Sequence, residues 1–311
     1  MIIVVTGGAG FLGSRVIQAL LLADPQSSII SLDLAPCPVL DPRVRSIVGD
    51  IADERLLASA FDTDVSVVYH LAAIVSSQAE ADFDLGMRVN FDATRALLER
   101  CRLSAKQPRV VFASSLAVFG GDVPKVVPES QAALPQSSYG TQKAMAELLI
   151  NDYTRKGFID GRVCRLPTIS VRPGKPNAAA SSFASGIIRE PMAGQTSVCP
   201  VPLDTRLWLC SPDTVVANLV HAAELEGGAL GANRTLNLPG ICVEVLAMLD
   251  ALQRIAGPEA RARVTLQRDE RIERIVCSWP GDFDITRPLA LGFQVDASID
   301  DLIRAHQRST A

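Results

Sequence analysis

Along the first half of the chain, short β-branched runs alternate with longer stretches whose apolar residues return every third or fourth position. Residues 2–5, 29–32, 44–51, 65–71, 110–113 and 162–169 carry the runs and predict strands. Val16, Ile17, Leu20 and Leu21 mark the buried stripe of a first helix, residues 87–101 read as another, and a further helix begins near Tyr139. Strands that are apolar throughout, separated by amphipathic helices, predict a parallel sheet covered on both faces. Beyond about residue 170 the alternation becomes irregular, with short strands predicted near residues 197–201, 206–209 and 234–238 and helices over 243–256 and 298–306. One more helix is announced by Ser211-Pro212-Asp213, which supplies a serine cap, a first-turn proline that needs no N–H, and an acid at the positive end.

The first predicted strand runs into Thr6-Gly7-Gly8-Ala9-Gly10-Phe11-Leu12-Gly13 and straight on into the first helix. Strand, glycine turn and helix in that order form a dinucleotide-binding pattern. Gly7 permits the tight turn, Gly10 lets a pyrophosphate approach the helix N-terminus, and Gly13 lets helix and strand pack closely. The second strand ends at Asp33, 20 positions after Gly13 (33 minus 13). A carboxylate there accepts hydrogen bonds from the adenosine ribose and repels a 2′-phosphate, which predicts NAD over NADP. Gly7, Asp33, Asp50, Ala72 and Ser115 all fall at the carboxyl ends of predicted strands, where ligands sit on such sheets. The fold class that follows is α/β: a Rossmann-type doubly wound parallel sheet over residues 1–170 and a smaller C-terminal substrate-binding lobe over residues 171–311. A strand or helix can be exchanged between the two.

Composition narrows the partners. A chain of 311 residues with 48% hydrophobic and 21% charged residues is long enough and apolar enough for a full core. Its net charge of -4 argues against nucleic acid or an anionic membrane as the main partner. The seven cysteines are scattered without a C-x-x-C pair and read as reduced thiols; the three histidines have no metal-ligand spacing. No signal-peptide pattern opens the chain and no apolar run reaches the length of a membrane span, so a cytoplasmic protein with no metal is expected.

Tyr139 and Lys143 stand four apart, which stacks them on one helix face. An ordinary tyrosine ionises near pH ~10, and an ammonium beside it favours the phenolate. Ser115, at a strand end, can orient a substrate oxygen whose proton the tyrosine takes. Tyr69 and Tyr153, the other two tyrosines, have Ala73 and Gly157 four residues on, so Tyr139 is the candidate base.

These residues resemble the extended branch of the short-chain dehydrogenase/reductase family. The likeness rests on Thr6-Gly7-x-x-Gly10-x-x-Gly13, Asp33, Gly49-Asp50-Ile51, His70-Leu71-Ala72-Ala73, Val89-Asn90, Ser114-Ser115-x-x-Val118-Phe119-Gly120 and Tyr139-x-x-x-Lys143, and spans essentially the whole chain. It implies Gly7, Gly10, Phe11, Leu12, Asp33, Asp50, Ile51, Leu71, Ala72, Ala73, Asn90, Pro167 and Ile169 near NAD, together with Tyr139 and Lys143. It implies Ser115, Tyr139 and Lys143 as the catalytic set, and a homodimer. Phe119 stands where the family usually has tyrosine, a change read as packing. Dehydratases of the family carry an Asp-Glu pair directly after the catalytic Ser/Thr; here Leu116-Ala117 supplies neither acid nor base for elimination.

The stretch from Leu166 through Arg172-Pro173-Gly174-Lys175 to Pro191, with residues 204–208 and 272–276, departs from the nucleotide-sugar enzymes. It is similar to dehydrogenases that oxidise the 2-hydroxyl of four-carbon sugar acids such as D-erythronate. Arg172, Lys175, Arg189 and Arg206 are the candidate partners of a substrate carboxylate, and Ser76, Ser77, Ser115 and Thr168 of its oxygens. Two other readings stay open: a nucleotide-sugar epimerase that retains its NAD, and a non-catalytic NAD-binding sensor or scaffold.

Overall fold

The computed structural model describes residues 1–104, 106–174 and 179–310. It divides into two compact units that interleave along the chain. The first takes Met1–Ser115, Thr141–Arg165 and Val216–Leu236; the second takes Leu116–Gly140, Leu166–Val215 and Asn237–Ala311. The sequence pattern places one boundary at residue 170, whereas here residues 116–140 belong with the C-terminal segments and residues 216–236 with the N-terminal ones.

Twelve strands occur among the described residues. The first six are β1 (Ile2–Thr6), β2 (Ser28–Asp33), β3 (Val44–Val48), β4 (Val67–His70), β5 (Arg109–Ser115) and β6 (Asp160–Leu166). The rest are β7 (Thr168–Ile169), β8 (Ser197–Cys199), β9 (Arg206–Cys210), β10 (Thr235–Asn237), β11 (Ile241–Glu244) and β12 (Val264–Leu266). The first unit is built on a seven-stranded sheet in the order β10-β6-β5-β4-β1-β2-β3. From β3 to β5 its neighbours pair in parallel, as continuous apolar strands joined through helices must. The order reverses between β1 and β4, and such a switch point opens the crevice in which doubly wound sheets hold ligands. Val4, Leu32, Val68, Val110 and Phe112 of the sheet bury against Leu97, Leu98, Ala146 and Ile150 of two helices, Ala93–Leu103 and Ser138–Arg155. β3 is the exposed edge and stops at Val48, short of the predicted residue 51.

The predicted strand over 162–169 is two strands in two sheets. β6 ends before Pro167, which has no N–H to continue the ladder. β7 then joins a three-stranded sheet of the second unit, in the order β11-β9-β7. The predicted helix over 243–256 likewise starts two residues late: Val243 and Glu244 pair in β11, antiparallel to β9, and the helix runs Val245–Ala256. The predicted helix over 87–101 opens instead with a π-helical turn, Met87–Asp92, before Ala93–Leu103. In the second unit Ser211 caps its helix as expected, accepting from the Thr214 N–H at 3.2 Å, and Asp296 accepts from the Ser211 N–H at 2.8 Å. The core of this unit gathers Phe183, Ile187 and Ile188 of helix Phe183–Met192, Met248 and Leu252 of helix Val245–Ala256, and Leu302 and Ile303 of helix Ile299–Thr310.

Candidate active site

The glycine turn is bare for steric reasons. Gly7 has φ +72°, the left-handed region, and a Cβ there would stand 2.8 Å from the Ala72 nitrogen. A Cβ on Gly13 would overlap the Gly7 carbonyl, so the first turn of helix Phe11–Ala23 lies directly on the loop backbone. Among the described residues, a Cβ on Gly10, the N-cap of that helix, would meet only the Gly7 carbonyl within 4 Å, at 3.1 Å. Asp33, at the end of β2, accepts from the Ala9 N–H at 3.0 Å and the Ala35 N–H at 3.3 Å, which aims its carboxylate beside the turn. A cradle without side chains at a helix N-terminus, with a carboxylate at the next strand end, fits the pyrophosphate and ribose of a dinucleotide. Phe11 and Leu12 are half-buried at the start of the helix, and Ile51 is buried just past β3. Asp50 pairs with Arg88 at 2.5 Å; burial works to raise its pKa, but the Arg88 and Ala52 hydrogen bonds prevail and lower it.

The exit of β4 is fixed by a buried polar chain. Thr6 Oγ1 contacts His70 Nδ1 at 2.7 Å, His70 Nε2 contacts Thr94 Oγ1 at 2.8 Å, and Thr94 Oγ1 donates to the Asn90 carbonyl at 2.8 Å. Because the Thr94 proton goes to that carbonyl, Thr94 must accept from His70, which assigns the proton to Nε2 and makes Nδ1 the acceptor. Burial and then the nearby Lys143 charge push the His70 pKa down to about 3, so the ring is neutral. Thr6 Oγ1 also accepts from the Leu71 and Ala72 N–H groups, at 3.2 and 3.3 Å. The Asn90 side chain accepts from the Ile74 N–H at 2.8 Å and donates to the Ile74 carbonyl at 3.0 Å and to Gln142 Oε1 at 2.7 Å. Leu71, Ala72 and Ala73 are thereby pinned on both sides. Ser76 and Ser77 begin a short helix, Ser76–Ala81, beyond this loop.

Helix Ser138–Arg155 carries both Tyr139 and Lys143, one turn apart. Lys143 is 1% exposed, donates to the Ala113 carbonyl at 2.8 Å and lies 4.5 Å from the centre of the Phe112 ring. Burial pushes its pKa down to about 7, with Glu147 one turn on opposing the shift. Glu147 is buried too, in a bidentate pair with Arg165 of β6 and accepting from Ser114 of β5. Ser115 follows, half-buried, as the last residue of β5. The turn after it, Leu116–Val118, lies against Gly140, where a Cβ would overlap the Ala117 carbonyl. That glycine sets how closely the helix carrying Tyr139 approaches the turn.

In the second unit Pro167 and Thr168 are buried and Ile169 is half-buried, with Thr168 opposite Leu209 in the sheet. Arg189 is buried and donates to the Arg172 carbonyl at 2.6 Å and to Glu190 at 2.5 Å. Arg206 donates to Asp282 at 3.1 Å and to Cys242 Sγ at 3.2 Å. Arg189 and Arg206 are therefore engaged with protein groups. Arg172 is half-buried; burial, then the neighbouring Arg189 charge, lowers its pKa. Lys175 lies outside the described residues. Phe119 packs on Phe283, ring centres 5.6 Å apart, and Phe283 on Trp208 at 5.4 Å, the aromatic packing expected of a phenylalanine at that position.

Three features escape the motif reading. Gly8 is required because a Cβ would strike Ser31; Gln142 and the Glu147–Arg165 pair complete hydrogen bonds across distant segments. Only the i, i+4 spacing of Lys143 and Glu147 signals any of these in the sequence.

Among the described residues no group of three or more histidine, cysteine or acidic side chains is arranged to hold a metal ion. No helix described is long and apolar enough to cross a membrane. Residues 3–237 match the model of the NAD dependent epimerase/dehydratase family. Over 98% of both chains, the protein is 55% identical to a D-erythronate dehydrogenase of Cupriavidus necator. It is 49% identical, again over 98% of both chains, to a D-erythronate dehydrogenase of Haemophilus influenzae. Among solved structures, a nucleoside-diphosphate-sugar epimerase from Agrobacterium tumefaciens superposes with a TM-score of 0.90 at 38% identity, over 99% of this chain and 94% of that one.

Proposed function

The chain belongs to the NAD dependent epimerase/dehydratase family, and we propose that it is an NAD-dependent dehydrogenase converting D-erythronate to 2-oxo-D-erythronate. The observation that carries this reading is its end-to-end similarity, at 55% and 49% identity, to two enzymes of that name. Gly7, Gly10, Phe11, Leu12, Asp33, Asp50, Ile51, Leu71, Ala72, Ala73, Asn90, Pro167 and Ile169 are the residues we assign to holding NAD, which supplies a hydride acceptor when bound. The Tyr139 phenolate takes the proton of the substrate 2-hydroxyl, and the Ser115 hydroxyl donates to that oxygen and fixes it. In its protonated form Lys143 supplies the positive field that favours the phenolate. Leu116 and Ala117, both buried and apolar, offer no acid–base pair for elimination, which supports simple oxidation. For the substrate carboxylate we propose Arg172, with Lys175 as the second candidate; Ser76, Ser77 and Thr168 are the candidates for its other oxygens.

Purified protein incubated with NAD and D-erythronate is expected to accumulate NADH, read by its near-ultraviolet absorbance, and Tyr139→Phe to lower that rate by about 10²–10⁴-fold while NAD still binds. Absence of NADH with any four-carbon sugar acid would overturn the dehydrogenase. The 38% identical epimerase supports one rival, in which a nucleotide sugar is inverted with no net NADH; the same assay with that substrate separates the two. NAD binding without turnover of either substrate would establish a sensor. A homodimer is the proposed assembly, by family likeness, through helices Ala93–Leu103 and Ser138–Arg155. Seven free thiols support a cytoplasmic setting.

A further inference from the structure

We infer that Gln142, acting through Asn90, is a positioning residue for NAD: its side-chain carbonyl anchors the amide that clamps the loop Leu71–Ala72–Ala73. The inference rests on the assignment of that loop to the cofactor. Asn90 grips the Ile74 peptide by both its N–H and its carbonyl, which spends its oxygen and one of its two amide protons. The second proton goes to Gln142 Oε1, a contact that holds the amide plane from the other side. Asn90 lies within the π-helical turn Met87–Asp92, and its main-chain carbonyl accepts from Thr94 Oγ1. At the opposite end of the loop, Thr6 holds the Leu71 and Ala72 amides. Ala72 is also the residue that Gly7 faces across the turn, so a loop that drifted would enter the cradle.

Two observations argue that this glutamine is there for more than filling space. It is fully buried, and its Nε2 has no hydrogen-bond partner among the described residues. A buried donor left unpaired destabilises a fold, and a methionine of similar volume would not carry that cost. Moreover, Gly86 makes room for it: a Cβ at residue 86 would stand 2.5 Å from Nε2 and 3.0 Å from Oε1. Gln142 also directly precedes Lys143, so the same helical turn bears the proposed catalytic ammonium and the anchor of the loop.

The test is NAD affinity by titration calorimetry, with thermal melting of each protein alongside. Gln142→Met leaves the second Asn90 proton unpaired and is expected to weaken NAD binding by about tenfold, the effect of one unsatisfied buried donor. Gly86→Ala, which keeps every hydrogen-bonding group but displaces the amide, is expected to weaken it in the same direction. In a Gln142→Ala background the added Gly86→Ala change is expected to cost nothing further, because the space it invades is already empty. Melting temperatures that fall while NAD affinity stays within twofold of the parent would overturn the inference and leave Gln142 a structural residue. Independent, additive effects of the two substitutions would overturn it as well. The titration needs no substrate, so failure of D-erythronate oxidation in a parent that binds NAD refutes the proposed reaction alone.

Discussion

An ammonium that is 1% exposed, resting on a backbone carbonyl and a phenyl ring, is a costly side chain for the fold to bury. Burial brings Lys143 from 10.5 down to about 7 despite the opposing field of Glu147. Between those values the unfolded chain holds a proton that the folded one has released, so stability rises as pH rises from about 7 to 10.5. The full cost is present below pH 7. Lys143→Met removes the cost and is expected to be more stable than the parent at pH 7. Its advantage should shrink on going to pH 10, by at most about 1.4 kcal/mol per unit. Urea midpoints of both proteins at the two pH values test this. An advantage that does not change with pH would mean that the lysine is not titrating near neutrality in the fold.

One turn further along the same helix, the interaction belongs to elements more than to residues. Glu147 on helix Ser138–Arg155, Arg165 on β6 and Ser114 on β5 bring together three elements, of which two bear Lys143 and Ser115. A buried pair of this kind is weak evidence for net stability, but breaking it from one side leaves a charge without compensation. Arg165→Met is expected to destabilise by about 3–5 kcal/mol, and Glu147→Leu added to it to recover much of that loss. Two denaturation curves decide the point; equal stability of the single and double variants would show that Glu147 is tolerated alone. The pair also marks how far the sequence could be read. The glycine turn, Asp33, Ser115 and the Tyr139–Lys143 spacing were legible because each obeys a local rule: a φ, a strand end, one turn of helix. Glu147–Arg165, His70–Thr94 and Asn90–Gln142 join residues far apart in the chain, and no local rule pairs them. The same reason explains the strand over 162–169. Its apolar run is continuous, but Pro167 divides it between two sheets, a consequence of which partner strands lie alongside.

At the scale of the whole molecule, buried titratable groups decide the pH at which the fold is firmest. His70, brought from 6.5 to about 3, takes up its proton on unfolding, so stability falls as pH drops below 6.5. Lys143 adds a rise from about pH 7 upward, as above. Buried thiols act in the opposite sense. Cys164 is pushed from 9.0 up to about 12, and Cys101 and Cys210 are also raised, in each case chiefly by burial. Above pH 9 the unfolded chain ionises these three while the folded chain does not, and stability is lost as pH rises. Each group contributes a slope of about 1.4 kcal/mol per pH unit within its window. Between about pH 7 and 9 the upward slope of the lysine prevails; above pH 9 three thiols outweigh one lysine. Maximum stability is therefore expected on the alkaline side, at about pH 8–9, rather than in the usual range of about 5–8. Urea denaturation under reducing conditions from pH 5 to 10.5 should give a midpoint that climbs to that region and then falls. A midpoint highest at pH 5–6 would contradict the burial of both His70 and Lys143. A climb that continued past pH 10 would mean that the thiols are open to solvent.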